Sequence, residues 1–184
     1  MVQLVTDALL VDLARDGDEQ AFAELVRRHG GRVHRLVARL LGDAATAEDV
    51  TQETFVRAWR GLRSFRAEAE FTTWLHRIAV NEANRVLSRA KHRELVAYED
   101  VMEKAPDLAA DVPERVESAD RRRQLERMLA DLPPNYRAAV VLRDVEGYAN
   151  EEAAALLGLE LRNFKSRLHR GRMALRRALE EDER

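Results

Sequence analysis

The chain has 184 residues, 46% of them hydrophobic and 35% charged, with a formal net charge of −2 and no cysteine. Such a composition suits a helix-rich soluble protein that buries a core, and the lack of thiols excludes a disulfide framework, a thiolate metal site and a cysteine nucleophile. No apolar run approaches the length of a membrane span, and the N-terminus, with Asp7 and Asp12, has no basic signal region; a cytoplasmic location without membrane insertion is expected.

The near-neutral total conceals a segmental pattern. Residues 1–93 hold 15 basic and 13 acidic side chains, residues 94–120 hold 2 and 9, and residues 121–184 hold 14 and 11. Local patches, rather than the overall balance, set the field that a nucleic acid meets.

In chain order, Asp18 to Leu41 reads as an amphipathic helix. Its core side is Phe22, Leu25, Val26, Val33, Leu36, Val37 and Leu40, with an irregularity expected at Gly30-Gly31. Gly42-Asp43 ends it. Thr46, with Asp49 three residues on, resembles a capping box that opens a helix to about Arg60. Residues 61–71 are expected as a charged loop, followed by a helix from Thr72 or Thr73 to about His92. Residues 1–93 thus form one helical bundle. Residues 94–120 contain Pro106, Pro113 and no helical period, so a tether is expected. As a coil it would span roughly 28 Å, and up to about 90 Å extended, enough to hold two modules more than one DNA turn (about 34 Å) apart. Helices resume over 121–184. Leu125, Met128 and Leu129 mark one that Leu132-Pro133-Pro134 breaks. Tyr136 to Val145 is the next, closed by Gly147. The predicted class is all-α, with two small helical domains joined by an acidic linker.

The most specific signal follows. Asn150 is placed to cap a short helix, Glu151 to Leu157, and Gly158 suits its left-handed C-terminal turn. A second helix then runs from Arg162 to Arg177 with seven basic residues and no acidic one. Leu161, Phe164, Leu168, Gly171 and Leu175 repeat at three- and four-residue spacing and form its buried seam. Arg162, Lys165, Ser166, His169, Arg172 and Arg176 fall on the outer side, with Arg170 at the edge. A helix-turn-helix with a cationic outer face is what a major-groove reader needs. A basic amphipathic helix also suits a membrane surface or a partner protein. The narrow apolar side, which includes Gly171, favours DNA.

Two further faces carry weaker signals. On the helix from Thr72, Trp74, Arg77, Asn81, Asn84, Arg85 and Ser88 lie opposite a stripe of Phe71, Leu75, Ile78, Ala79, Ala83 and Val86. With Arg63, Phe65 and Arg66 just before it, this face combines aromatic platforms, amides and cations suited to bases, and an exposed Phe65 would stack on an unpaired one. On these residues alone, Trp74 and Phe65 read better as core of a small bundle. Asp49, Gln52, Glu53 and Val56 share an edge of the helix from Thr46 that suits a basic partner helix, although a solvated face is the simpler reading. The five histidines are scattered and no nucleophile has a recognisable partner, so neither an enzyme nor a cofactor is expected.

The strings AEDVTQETFVRAWRGLRSFR (47–66), FTTWLHRIAVNEANRVLSR (71–89), LPPNYRAAVVLRDVEGY (132–148) and KSRLHRGR (165–172), in this order, strongly resemble the extracytoplasmic-function (group 4) sigma factors of bacterial RNA polymerase. The resemblance covers nearly the whole chain except the acidic bridge. It implies sigma region 2 in residues 1–93, a linker in 94–120 and sigma region 4 in 121–184. It places Asp49, Gln52 and Glu53 where the family docks on core RNA polymerase. It places Arg63, Phe65, Arg66, Trp74, Arg77, Asn81, Asn84 and Arg85 at the promoter's minus-10 element, where a base is flipped out. Arg162, Asn163, Lys165, Ser166, His169 and Arg170 correspond to the minus-35 reader, and the linker to a segment threading the RNA-exit path. An anti-sigma factor is a further partner found for many relatives. One run departs from the family: Glu160-Leu161-Arg162-Asn163-Phe164 replaces a usual Pro-Val-Gly-Thr-Val-like string, which predicts an altered minus-35 preference. The competing expectation is a helix-turn-helix regulator that binds DNA alone.

Overall fold

The computed structural model describes residues 6–66, 70–94 and 119–182, with side chains of 90–94 and 119–122 left aside. Among the described residues every regular element is helical: α1 (Asp7–Arg15), α2 (Glu19–Leu41), α3 (Ala44–Gly61), a 3-10 turn (Leu62–Ser64), α4 (Phe71–Glu94), α5 (Ala119–Asp131), α6 (Pro134–Val140), a π turn (Val141–Val145), α7 (Asn150–Leu156) and α8 (Leu161–Asp182). The chain divides into two compact units, Met1–Ala38 with Ala44–Ala83, and Arg39–Asp43 with Asn84–Arg184. Of the acidic stretch expected as a tether, residues 95–118 lie outside the described residues.

In the first unit, α2 begins where Asp18 stops it from fraying. The Asp18 carboxylate accepts from the backbone N–H of Gln20 at 2.9 Å and of Ala21 at 3.0 Å. Such a cap contributes about 1 kcal/mol. The expected stripe is buried at Leu25, Val33, Leu36, Val37 and Leu40, while Phe22 is half-buried and leans on Trp59 at 4.9 Å. Gly30-Gly31 does not interrupt the helix, contrary to expectation. Buried Leu25 on one side and Val33 on the other hold the helix register across both glycines.

Gly42 turns the chain at φ 71, leaving only Gly42 and Asp43 between α2 and α3. α3 therefore starts at Ala44, and Thr46 sits inside its first turn instead of capping it. Helix α1 was not anticipated. It buries Leu10, Val11 and Ala14 and is fastened at its first residue, where Asp7 pairs with Arg28 at 2.9 Å and with His29 Nε2 at 2.6 Å.

In the second unit the break at Leu132-Pro133-Pro134 falls as expected, and the buried Arg137 holds it by donating from Nη2 to the Leu132 carbonyl at 3.0 Å. The expected helix from Tyr136 ends as a π turn, in which the Glu146 N–H reaches back five residues to the Val141 carbonyl at 2.9 Å. Gly147 and Gly158 take the positive φ values of 76 and 65 that end their segments. Asn150 is the first helical residue, with Ala149 in the cap position and no side-chain cap bond, so its capping role is corrected. α8 keeps the predicted seam: Phe164, Leu168, Gly171 and Leu175 are buried.

The approach of α8 to α6 is set at Gly171. A Cβ there would lie 2.6 Å from Val140 Cγ2 and 3.1 Å from the Tyr136 carbonyl oxygen. Gly171→Ala is therefore expected to destabilise the protein by about 1–3 kcal/mol through overpacking. Gly30→Ala, in open space on a continuous helix, is expected to stabilise by about 0.5–1 kcal/mol. Urea denaturation of the full chain checks both signs.

Candidate nucleic-acid interface

In the first unit, the aromatic residues singled out from the sequence come together. Phe65 lies 4.9 Å from Trp74 and 6.2 Å from Phe71, and Phe71 lies 5.9 Å from Trp74. Phe65 is only 9% exposed, which agrees with its reading as core and not with an open stacking platform: three rings bury more apolar surface together than one ring does alone. Trp74 is half-buried, backed by the two phenylalanines and by Gly61, whose Cβ position is 3.3 Å from its ring. Arg63 and Arg66 are exposed beside it. Arg77, Asn81 and Arg85, four residues apart along α4, are exposed as well, and Asn84 is half-buried. An aromatic face beside amides and guanidinium groups can stack on and hydrogen-bond an unpaired base.

The edge of α3 presents exposed Asp49 and Gln52 beside Val56, which is 40% exposed. Glu53 is tied down. Arg57 Nε lies 2.8 Å from its carboxylate and 3.0 Å from that of Glu82, which is buried. Glu82 was missed in the sequence because it falls beside Ala79 and Ala83, on a side read only for apolar residues. The available signal was a carboxylate at a core register with an arginine elsewhere to meet it.

His76, also missed, is a buried residue of α4. Burial foremost, then the charges of Arg32 and His29, hold its pKa below the ordinary 6.5. The folded state thus favours the neutral ring, while the unfolded chain takes up a proton first. This contribution to stability is complete above about pH 6.5 and is lost as pH falls through the depressed value. The protein is therefore expected to melt at lower temperature on acidification below that point, with a shallower dependence in His76→Phe. Thermal melts across pH measure both.

In the second unit the first three turns of α8 hold the predicted reader residues. Arg162, Asn163 and Lys165 are exposed, and Ser166 and His169 half-buried. Arg170 is half-buried, with Nη1 3.4 Å from the Tyr136 hydroxyl. Arg172, expected on the outer side, instead sits at the margin of the seam, where Nε and Nη2 donate to Asp144 at 3.0 and 2.7 Å. Small Ala153 and Ala154 are buried on α7, which packs against α8 and completes the helix-turn-helix.

Comparison with known proteins agrees with this arrangement. Residues 25–93 match the family Sigma-70 region 2, and residues 122–175 match Sigma-70, region 4. The chain is 34% identical over 182 residues to the ECF RNA polymerase sigma-E factor of Salmonella typhimurium, covering 95% of each protein. It is 41% identical over 165 residues to the ECF RNA polymerase sigma factor SigE of Mycolicibacterium smegmatis, taking in 87% of this chain and 63% of that longer relative. The solved structure of the sigma factor RpoE from Bartonella quintana, in complex with the anti-sigma factor NepR, aligns with a TM-score of 0.59 at 26% identity, over 86% of this chain and 96% of that one. With a fold, two matched regions and a near full-length relative in agreement, the chain belongs to the extracytoplasmic-function sigma factors of RNA polymerase.

Proposed function

We propose that this chain is a transcription initiation factor: it binds bacterial core RNA polymerase and directs it to a set of promoters, with no covalent chemistry of its own. The observation that carries this reading is the pairing, in one chain, of a cationic helix-turn-helix in the second unit with a half-buried Trp74 in the first, backed by Phe65 and Phe71. Duplex DNA suits the first and an unpaired base the second.

On this reading, residues 1–93 act as region 2 and residues 121–184 as region 4, with 94–120 joining them. Arg162, Asn163, Lys165, Ser166, His169 and Arg170 meet the minus-35 duplex. Arg63, Arg66, Trp74, Arg77, Asn81, Asn84 and Arg85 meet the minus-10 strand, with Phe65 supporting Trp74 from beneath. Melting is favoured because a flipped base gains stacking and hydrogen bonds that the duplex withholds. Asp49, Gln52 and Val56, with Glu53 tied to Arg57, form the polymerase edge. Each DNA-binding unit is small, so the free protein binds promoters weakly and polymerase supplies the joint geometry. The relative crystallised with NepR supports an anti-sigma factor as a further partner. The cytoplasm, where polymerase works, is the proposed location; among the described residues no helix is long and apolar enough to cross a membrane.

Run-off transcription with core polymerase tests the reading: start-site choice should change when the chain is added. A gel shift showing tight, specific binding without polymerase would instead mark a stand-alone regulator. Val56→Asp is expected to weaken core-polymerase binding about tenfold or more, the consequence of losing roughly 1.4 kcal/mol at an apolar contact. Fluorescence titration of labelled protein with core polymerase measures it.

A further inference from the structure

Helix α8 carries more cations than one groove-facing surface can hold, and the structure divides them. Arg172 is not among the outward groups. Its guanidinium makes a two-point bond to Asp144, at 3.0 Å and 2.7 Å, with the side chains only 19% and 13% exposed. Two parallel charge-assisted bonds fix a planar group in orientation as well as in distance.

Asp144 reaches that place because of the π turn at Val141–Val145. The turn closes through the Glu146 N–H to the Val141 carbonyl at 2.9 Å, and its exit is held by Arg143 Nη1 donating to the Tyr148 carbonyl at 3.1 Å. The extra residue of a π turn interrupts the α-helical register, and such turns recur at functional sites. Immediately before it lies Val140, which touches α8 at Gly171, one residue from Arg172. The α8 axis is thus held on one side by an apolar contact and beside it by an ion pair.

We infer that the Asp144–Arg172 pair is a positioning latch for the promoter-reading helix, and that Arg172 acts through the angle at which α8 is presented and does not contact DNA phosphate. The inference rests on the reading of α8 as the minus-35 reader. An apolar seam alone lets a helix rock about its contact line, whereas a two-point bond beside the seam resists that rotation. Arg162, Asn163 and Ser166 stand two to three turns toward the N-terminus of α8, so a small rotation at Arg172 becomes a larger displacement at the base edges.

The test uses the full chain assembled with core polymerase. Wild-type holoenzyme first selects its promoter from random DNA. Binding is then compared on that duplex and on a pre-opened template that offers the minus-10 strand without a minus-35 element; the ratio isolates what α8 adds. Arg172→Ala and Asp144→Asn are each expected to lower the ratio ~10-fold, with the double variant falling no further. Arg172→Lys should fall with them, since it keeps the charge and loses the two-point geometry. Leu175→Ala, which loosens the same helix without touching the pair, sets the size of a merely destabilising effect at matched stability.

A phosphate contact gives the opposite pattern: Asp144→Asn, by removing a negative charge near DNA, leaves binding equal or tighter, and Arg172→Lys keeps the wild-type ratio. Either result overturns the latch. So does a ratio for the pair variants no lower than that of Leu175→Ala. Should wild-type holoenzyme select no minus-35 element at all, the proposed function of α8 itself falls, and the latch with it.

Discussion

The reading unit depends on how closely α8 can approach α6, and the missing side chain of Gly171 sets that distance. Val140 and the Tyr136 carbonyl occupy the space a Cβ would need. Interiors packed to crystal density do not absorb a methyl group at such a point without moving backbone. Phe164, fully buried about two turns earlier, and the buried Leu168 and Leu175 extend the same contact line. The direction of every group on the outer face of α8 follows from that line.

Both units supplement apolar packing with partly buried ion pairs. Glu82 with Arg57 joins α4 to α3, Asp7 with Arg28 and His29 fastens α1 to α2, and Asp144 with Arg172 ties the π turn to α8. Removing a charge from water costs free energy that its partner only partly returns, so such pairs are weak sources of net stability. Their effect is geometric. Two of them stand beside a face to which a role in binding is assigned: Glu82 with Arg57 by the edge of α3, and Asp144 with Arg172 by α8.

The division between paired and outward cations also bears on DNA recognition. Counted from sequence, α8 offers a dense positive stripe, yet Arg172 is committed to a carboxylate and Arg170 leans toward Tyr136. The exposed cations are therefore Arg162 and Lys165 in its first turns, with Arg176 and Arg177 toward its far end. Long-range attraction comes from the whole stripe, whereas base discrimination comes from the few side chains whose positions are fixed relative to the groove.

Periodicity alone was enough to delineate most of the helices and their buried stripes, because a 3.6-residue repeat of apolar residues has one compact solution. Gly42, Gly147 and Gly158 marked chain turns for the equally local reason that positive φ strains other residues. The family, too, was legible from four strings in order. What local rules could not reach were choices between alternatives of similar local cost. Thr46 lost its cap to a two-residue turn, and Arg172 was drawn from the outer face of α8 to Asp144. Glu82, His76 and Asp144 are polar residues whose burial depends on partners far away in sequence. Tertiary structure decided these because the free energy of a charge or an aromatic ring is set by what surrounds it, and its neighbours in the chain do not specify those surroundings.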